Sequence, residues 1–237
     1  MKDPRVIVAL DFPQREKAVA FAMRLDPAKC RVKVGKELFT AAGPAVVDDL
    51  QKVGYEVFLD LKFHDIPNTV AGAVRSACGL GVWMTSIHTS GGRKMMEAAM
   101  EAADKYIIRP LIIGITVLTS MDADDLKEVG VSVTPSTQVL RLARLGNECD
   151  LDGVVCSGQE AGILRGYRNQ FFKLVTPGIR LPGSDSGDQS RILTPQKAIA
   201  EGSDYLVIGR PITGAPNPME ALDEINTLVD SALTQSN

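Results

Sequence analysis

Eight short runs of aliphatic and β-branched residues recur along the chain, separated by amphipathic stretches of helical length. The runs are Val6 to Leu10, Val32 to Val34, Val57 to Leu59, Val82 to Ile87, Leu111 to Val117, Gly153 to Val155, Phe172 to Val175 and Tyr205 to Ile208. Apolar runs this short and this continuous suit strands covered on both faces, as in a parallel sheet. Helices are predicted between them at Arg15 to Arg24, Ala45 to Val53, Thr69 to Leu80, Met95 to Lys105, Thr137 to Asn147, Pro195 to Glu201 and Pro218 to Leu233. The pattern reads as strand and helix repeated, which implies βα units.

Eight such units in 237 residues give about 30 residues each, the length of one βαβ step. The total also matches a (β/α)8 barrel. A doubly wound open sheet uses the same units, but it ordinarily has fewer strands and often carries a Gly-rich dinucleotide turn after the first. Here the first run continues into Asp11-Phe12-Pro13. With no Ser/Gly-rich linker to divide the chain, a single (β/α)8 TIM barrel over residues 1–237 is the expected architecture. Helix punctuation agrees: Asn217-Pro218 offers an N-cap and a proline at the first helical position, while Gly54, Gly81, Gly130 and Gly202 follow helical stretches.

Composition narrows the function classes. A chain 45% hydrophobic and 23% charged is neither disordered nor collagen-like. Its net charge of -3 supplies no basic field for nucleic acid, and 7 Phe, 4 Tyr and 1 Trp make a poor stacking platform. An acidic ligand must therefore be held by local cations. Cys30, Cys78, Cys149 and Cys156 form no CxxC pair, and with only His64 and His88 beside them a zinc cluster is not expected. Buried free thiols in a reducing, cytoplasmic setting are the expectation, since the first apolar run is too short for a signal peptide or a membrane span.

Reactive groups of parallel barrels sit at the C-terminal ends of strands. The most informative run there is Leu59-Asp60-Leu61-Lys62-Phe63-His64-Asp65. Side chains two apart on a strand share a face, so Asp60 and Lys62 project together, and Lys33, between Val32 and Val34, points into the barrel. Charges inside a barrel mouth are costly unless they pair with each other or with a ligand. One Lys-Asp pair is well explained as a structural ion pair. Asp11, Lys33, Asp60, Lys62 and Asp65 on one rim are more than a stability device needs.

Carboxylates beside a lysine favour its ammonium form, which serves as a general acid or stabilises a developing carbanion. A Schiff-base nucleophile needs the neutral amine instead. Lysines among the carboxylates also oppose a hard metal cation, so a site without metal or cofactor is expected. After the seventh and eighth strands, Gly178 with Arg180 and Gly209 with Arg210 fall where barrels build phosphate sites. Between them, residues 181–189 form a long, polar, glycine-rich loop expected to act as a lid, with Gln189 able to reach the ligand.

The segments Val8-Ala9-Leu10-Asp11, Lys33-Val34-Gly35, Asp60 to Thr69, Leu118-Thr119-Ser120, Thr176 to Arg180 and Val207 to Ile212 together resemble the bacterial orotidine 5'-monophosphate decarboxylase family, in order and over nearly the whole chain. Related sugar-phosphate decarboxylases share the Asp-x-Lys-x-x-Asp core, and the continuation Ile66-Pro67-Asn68-Thr69 favours the nucleotide enzyme. The resemblance implies a tetrad of Lys33, Asp60, Lys62 and Asp65, with Lys62 the proton donor. It implies that Asp11 and Lys33 bind the ribose, and that Asp65 and Thr69 reach the neighbouring subunit's substrate in a homodimer. It also implies that Thr119 lies near the pyrimidine, that Gln189, Arg210 and the Gly209 amide hold the phosphate, and that Arg180 orients the phosphate end. Neither nucleic acid nor membrane is an expected partner.

Two competing readings are a magnesium-dependent sugar-phosphate decarboxylase or aldolase on the same barrel, and a non-catalytic nucleotide-binding barrel. His64 is read as a structural hydrogen-bond partner rather than a base. His88 is read as a packing or loop-fixing residue that is also placed to line the pocket. Cys156 and Ser157 lack a triad partner and are assigned no nucleophilic role.

Overall fold

The computed structural model describes residues 3–167, 172–181 and 193–235. Eight parallel strands close on themselves in chain order: β1 (Val6–Ala9), β2 (Arg31–Gly35), β3 (Val57–Phe63), β4 (Met84–His88), β5 (Leu111–Ile115), β6 (Gly153–Val155), β7 (Lys173–Thr176) and β8 (Tyr205–Ile208). β8 pairs back onto β1, with Val8 opposite Ile208. The helices are α1 (Arg15–Ala22), α2 (Lys36–Ala42), α3 (Ala45–Lys52), α4 (Pro67–Gly79), α5 (Arg93–Ala103), α6 (Ala123–Glu128), α7 (Pro135–Glu148), α8 (Gly158–Tyr167), α9 (Pro195–Ala200), α10 (Arg210–Thr213) and α11 (Pro218–Gln235). The fold is the (β/α)8 barrel that the alternation implies. Among the described residues, no helix is long and apolar enough to cross a membrane.

Alternation along each strand divides the core in two. Val6, Val8, Val32, Val34, Val57, Leu59, Leu206 and Ile208 face outward and pack against helices with Leu38, Val47, Leu50, Leu222 and Ile225. A matching cluster covers the other side, where Ile112, Val154 and Leu174 meet Met95, Met96, Ala99 and Val139. Inward-facing Ile7, Phe58, Met84, Ile113, Val175 and Tyr205 fill the barrel itself. Each fully buried aliphatic side chain of this kind contributes about 1.5–3 kcal/mol relative to exposure, and that supply is what carries the charges at the barrel's two ends.

At the N-terminal end the barrel is plugged by Arg31, which is 7% exposed. Its guanidinium donates to Glu56 at 2.8 Å and Asp3 at 2.7 Å, bonds the Pro4 carbonyl, and lies 3.9 Å from the centre of the Trp83 ring. Trp83 in turn meets Tyr205 edge-on.

Helix ends follow the predicted punctuation. Asn217 accepts from the Glu220 amide at the start of α11. Gly54 (φ 103°) and Gly81 (φ 66°) take left-handed conformations just beyond α3 and α4, as do Gly130 and Gly202 beyond α6 and α9. Some features differ from the sequence reading. β5 stops at Ile115, the short helices α2, α6 and α10 lie outside the predicted stretches, and α8 supplies a crossover helix that the periodicity does not announce. Glycines 158, 162 and 166 weaken the helical signal of α8. Two of them permit close packing: a Cβ at Gly158 would lie 2.3 Å from Leu193, and one at Gly162 would lie 2.4 Å from Glu201.

Candidate active site

The C-terminal mouth of the barrel opens into a cavity of about 610 Å³. Its wall carries Asp11, Lys33, Asp60, Lys62, Thr119, Gly178, Arg180, Gly209 and Arg210, and its apolar lining is Ala9, Phe58, Ile115, Val117, Leu118, Val155, Pro177 and Val207. A second opening of about 280 Å³ adjoins it, lined by Asp11, Lys33, Asp60 and Lys62 together with Lys36 and Glu37 of α2.

Four of the five charged residues expected on this rim converge. Asp60 accepts from the Lys62 ammonium at 2.6 Å, and the same carboxylate oxygen lies 3.7 Å from the Lys33 ammonium. Asp11, just beyond β1, approaches Lys33 at 3.5 Å from the outer side. Lys33 reaches the mouth because its neighbours Val32 and Val34 face the helices. Gly35 leaves room for it, since a Cβ there would stand 3.2 Å from the Lys33 ammonium.

Asp60 is 7% exposed. Burial alone pushes its carboxyl upward, but the Lys33 and Lys62 charges and hydrogen bonds from Lys62 and Ser86 outweigh that, leaving it below the ordinary aspartate value. The site thus holds a buried carboxylate, ionised at neutral pH, between two lysines.

Asp65, just before α4, and Thr69, in its first turn, are exposed and do not line the cavity; Asp65 accepts from the Ile66 amide at 2.6 Å. Thr119, Arg180, Gly209 and Arg210 all do. Arg180 donates to the Ile179 carbonyl, and its amide bonds Leu193, so the chain returns beside β7 at the base of the predicted lid. Residues 182–189 of that loop, with Gln189, lie outside the described residues.

His64 and His88 stack on each other with ring centres 5.1 Å apart, and neither lines the cavity. Burial first, then His64, Lys36 and Lys62, push the His88 ring down to about 4. All four cysteines are free and buried. Burial pushes the Cys156 thiol up to about 12, far from the thiolate a nucleophile needs. Among the described residues no three His, Cys, Asp or Glu side chains converge as metal ligands would.

One site residue escaped the sequence reading. Ser86, buried on β4, donates to Asp60 at 2.7 Å and accepts from the Lys62 amide at 2.9 Å. Its only sequence signal is a polar residue within the apolar run Val82 to Ile87.

Comparison with known proteins gives a consistent picture. The family model described as "Orotidine 5'-phosphate decarboxylase / HUMPS family" matches residues 4–225. A Chromobacterium violaceum protein named orotidine 5'-phosphate decarboxylase is 61% identical over 221 residues, covering 93% of this chain and 90% of its own. A Vibrio atlanticus protein of the same name is 58% identical over 227 residues, 95% of this chain and 98% of its own. Among solved structures, orotidine 5'-phosphate decarboxylase from Lactobacillus acidophilus superposes with a TM-score of 0.86 at 37% identity, covering 96% of this chain and all of that one.

Proposed function

The chain belongs to the orotidine 5'-phosphate decarboxylase / HUMPS family, and from that premise we propose how its cavity converts orotidine 5'-monophosphate to uridine 5'-monophosphate, the carboxy-lyase step of pyrimidine synthesis. The observation that carries the reading is the Lys62 ammonium held 2.6 Å from a buried carboxylate at the mouth of the barrel.

Breaking the bond from C6 to the carboxylate leaves an electron pair in the plane of the pyrimidine ring, where the π system cannot spread it. A fixed ammonium beside C6 stabilises that charge without reorganising as it forms. Carbon dioxide departs, a proton passes from Lys62 Nζ to C6, and the neutral amine regains a proton from water. Asp60 keeps the ammonium aimed and lies where the substrate carboxylate departs. Lys33 and Asp11 bind the ribose, Thr119 lies by the pyrimidine, and Arg210, the Gly209 amide, Arg180 and Gln189 hold the phosphate end. Arginine suits that end because its planar fork makes paired hydrogen bonds to phosphoryl oxygens. Energy from this remote contact then lowers the barrier at C6 rather than merely tightening binding.

Asp65 and Thr69, which this chain's own cavity leaves out, serve the site of a second copy in a homodimer, and Asp65 completes the tetrad there. The chain acts as one domain in the cytoplasm, where its four free cysteines stay reduced, and it engages neither nucleic acid nor membrane. Lys62→Ala tests the assignment. Loss of both the charge and the proton donor lowers kcat for orotidine 5'-monophosphate by about 10⁴-fold or more, with the melting temperature close to wild type. A folded variant within tenfold of wild-type turnover contradicts it.

A further inference from the structure

The strand that delivers Lys62 is irregular where it matters. Leu59 of β3 pairs with Thr85 of β4 and Phe63 pairs with Ile87, so Asp60, Leu61 and Lys62 together lie opposite Ser86 alone. Within this bulge Lys62 adopts φ 52°, a left-handed conformation that L side chains disfavour. An extra residue in a bulge also loses its ladder partner, so the part-buried Lys62 amide needs a substitute acceptor. Such a conformation persists only where its surroundings enforce it.

Ser86 supplies the enforcement. Its hydroxyl accepts from the Lys62 amide at 2.9 Å and donates to Asp60 Oδ1 at 2.7 Å, while Asp60 Oδ2 receives the Lys62 ammonium at 2.6 Å. A hydroxyl is suited to this position because it accepts and donates at once. The result is a closed ring of contacts: the backbone of Lys62 to Ser86, Ser86 to one carboxylate oxygen, and the other oxygen back to the tip of Lys62. With Oδ1 occupied, the carboxylate cannot rotate to offer the ammonium a different direction. Ser86 is fully buried and is not part of the cavity wall, so it has no route to the substrate except through these two residues. The neighbouring Thr85 faces the other way and bonds the Leu59 carbonyl, where β3 is still regular.

We propose that Ser86 is a positioning residue for the decarboxylation, fixing the left-handed backbone of Lys62 and the plane of Asp60 so that the ammonium is set before substrate arrives. This rests on the functional reading above. Misplacement of a reacting group by about 1 Å costs on the order of 100-fold in rate, which sets the scale of the effect.

The test compares Ser86→Ala and Ser86→Cys with the wild-type chain on orotidine 5'-monophosphate. Cysteine nearly preserves the volume but is a weak hydrogen-bonding group, so it separates packing from positioning, and it keeps the test alive if the alanine variant does not fold. Both variants are expected to lose about 10- to 100-fold in kcat with KM within about threefold of wild type. The acid limb of the kcat profile should also move to higher pH, because the Asp60 carboxylate has lost a donor. Wild-type kcat in Ser86→Cys, or a loss confined to KM, overturns the proposal. A wild-type protein that leaves the nucleotide unchanged overturns the functional reading and this inference with it, whereas full-speed variants beside an active wild type overturn the inference alone.

Discussion

Arg31 and Lys33 stand two residues apart on β2, turn to the same inner face, and are nearly equally buried, with side chains 8% and 12% exposed. Arg31 closes the N-terminal end of the barrel with its donors taken up by Glu56, Asp3 and the Pro4 carbonyl, and with Trp83 against its plane. Lys33, at the other end, meets Asp11 and Asp60 only at 3.5 and 3.7 Å and borders a cavity. Burial is therefore no marker of function in this fold. What distinguishes the C-terminal end is a lysine 3.5 and 3.7 Å from its carboxylates at the edge of a cavity, where a ligand has room to approach it.

Substitution at each end sharpens the contrast. Lys33→Ala is expected to reduce kcat/KM for orotidine 5'-monophosphate by about 10²- to 10³-fold, measured by steady-state kinetics, while Lys62 still neutralises Asp60 and the fold survives. The mirror experiment, Arg31→Ala, is expected to cost about 2–4 kcal/mol of stability in denaturant titration, since packing, cation–π contact and paired charge are lost together. Its kcat/KM should stay within about twofold at temperatures where the variant is folded. A folded Arg31→Ala protein with a large rate defect would break the division between the ends.

The smallest effect concerns pH. The His88 ring is held down to about 4, below the 6.5 of an unfolded histidine. Between these values the unfolded chain binds the extra proton, so stability is complete above about pH 6.5 and declines as pH falls toward 4. Asp60, depressed below 3.8, loses its contribution only at lower pH. His88→Phe keeps a ring against His64 and removes the titration, so thermal melts from pH 7 to 4 should flatten by up to about 2 kcal/mol relative to wild type.

The barrel was legible because its strands are covered on both faces and read as short, mainly apolar runs. The facing of Lys33, Asp60 and Lys62 was legible for a related reason: period two survives along β2, and on β3 it puts Asp60 and Lys62 on one side even though the backbone between them bulges. The bulge itself was hidden. A left-handed lysine has no sequence signature, unlike the left-handed glycines after α3 and α4, and so the duty of Ser86 could not be read. Helix α8 was obscured because the glycines that let it approach Leu193 and Glu201 are the residues that weaken a helical pattern. Asp65 and Thr69 mark a further boundary of single-chain reading, since proximity along the sequence to Lys62 does not bring them into this chain's own cavity.

A lysine-centred site that needs no metal is tested most directly by the ultraviolet spectrum of orotidine 5'-monophosphate mixed with the purified protein in excess chelator. The orotate absorbance is expected to give way to that of the uracil ring at the same rate with and without chelator. An unchanged spectrum would contradict it, and conversion that chelator abolishes would replace the lysine-centred site with a magnesium-dependent one.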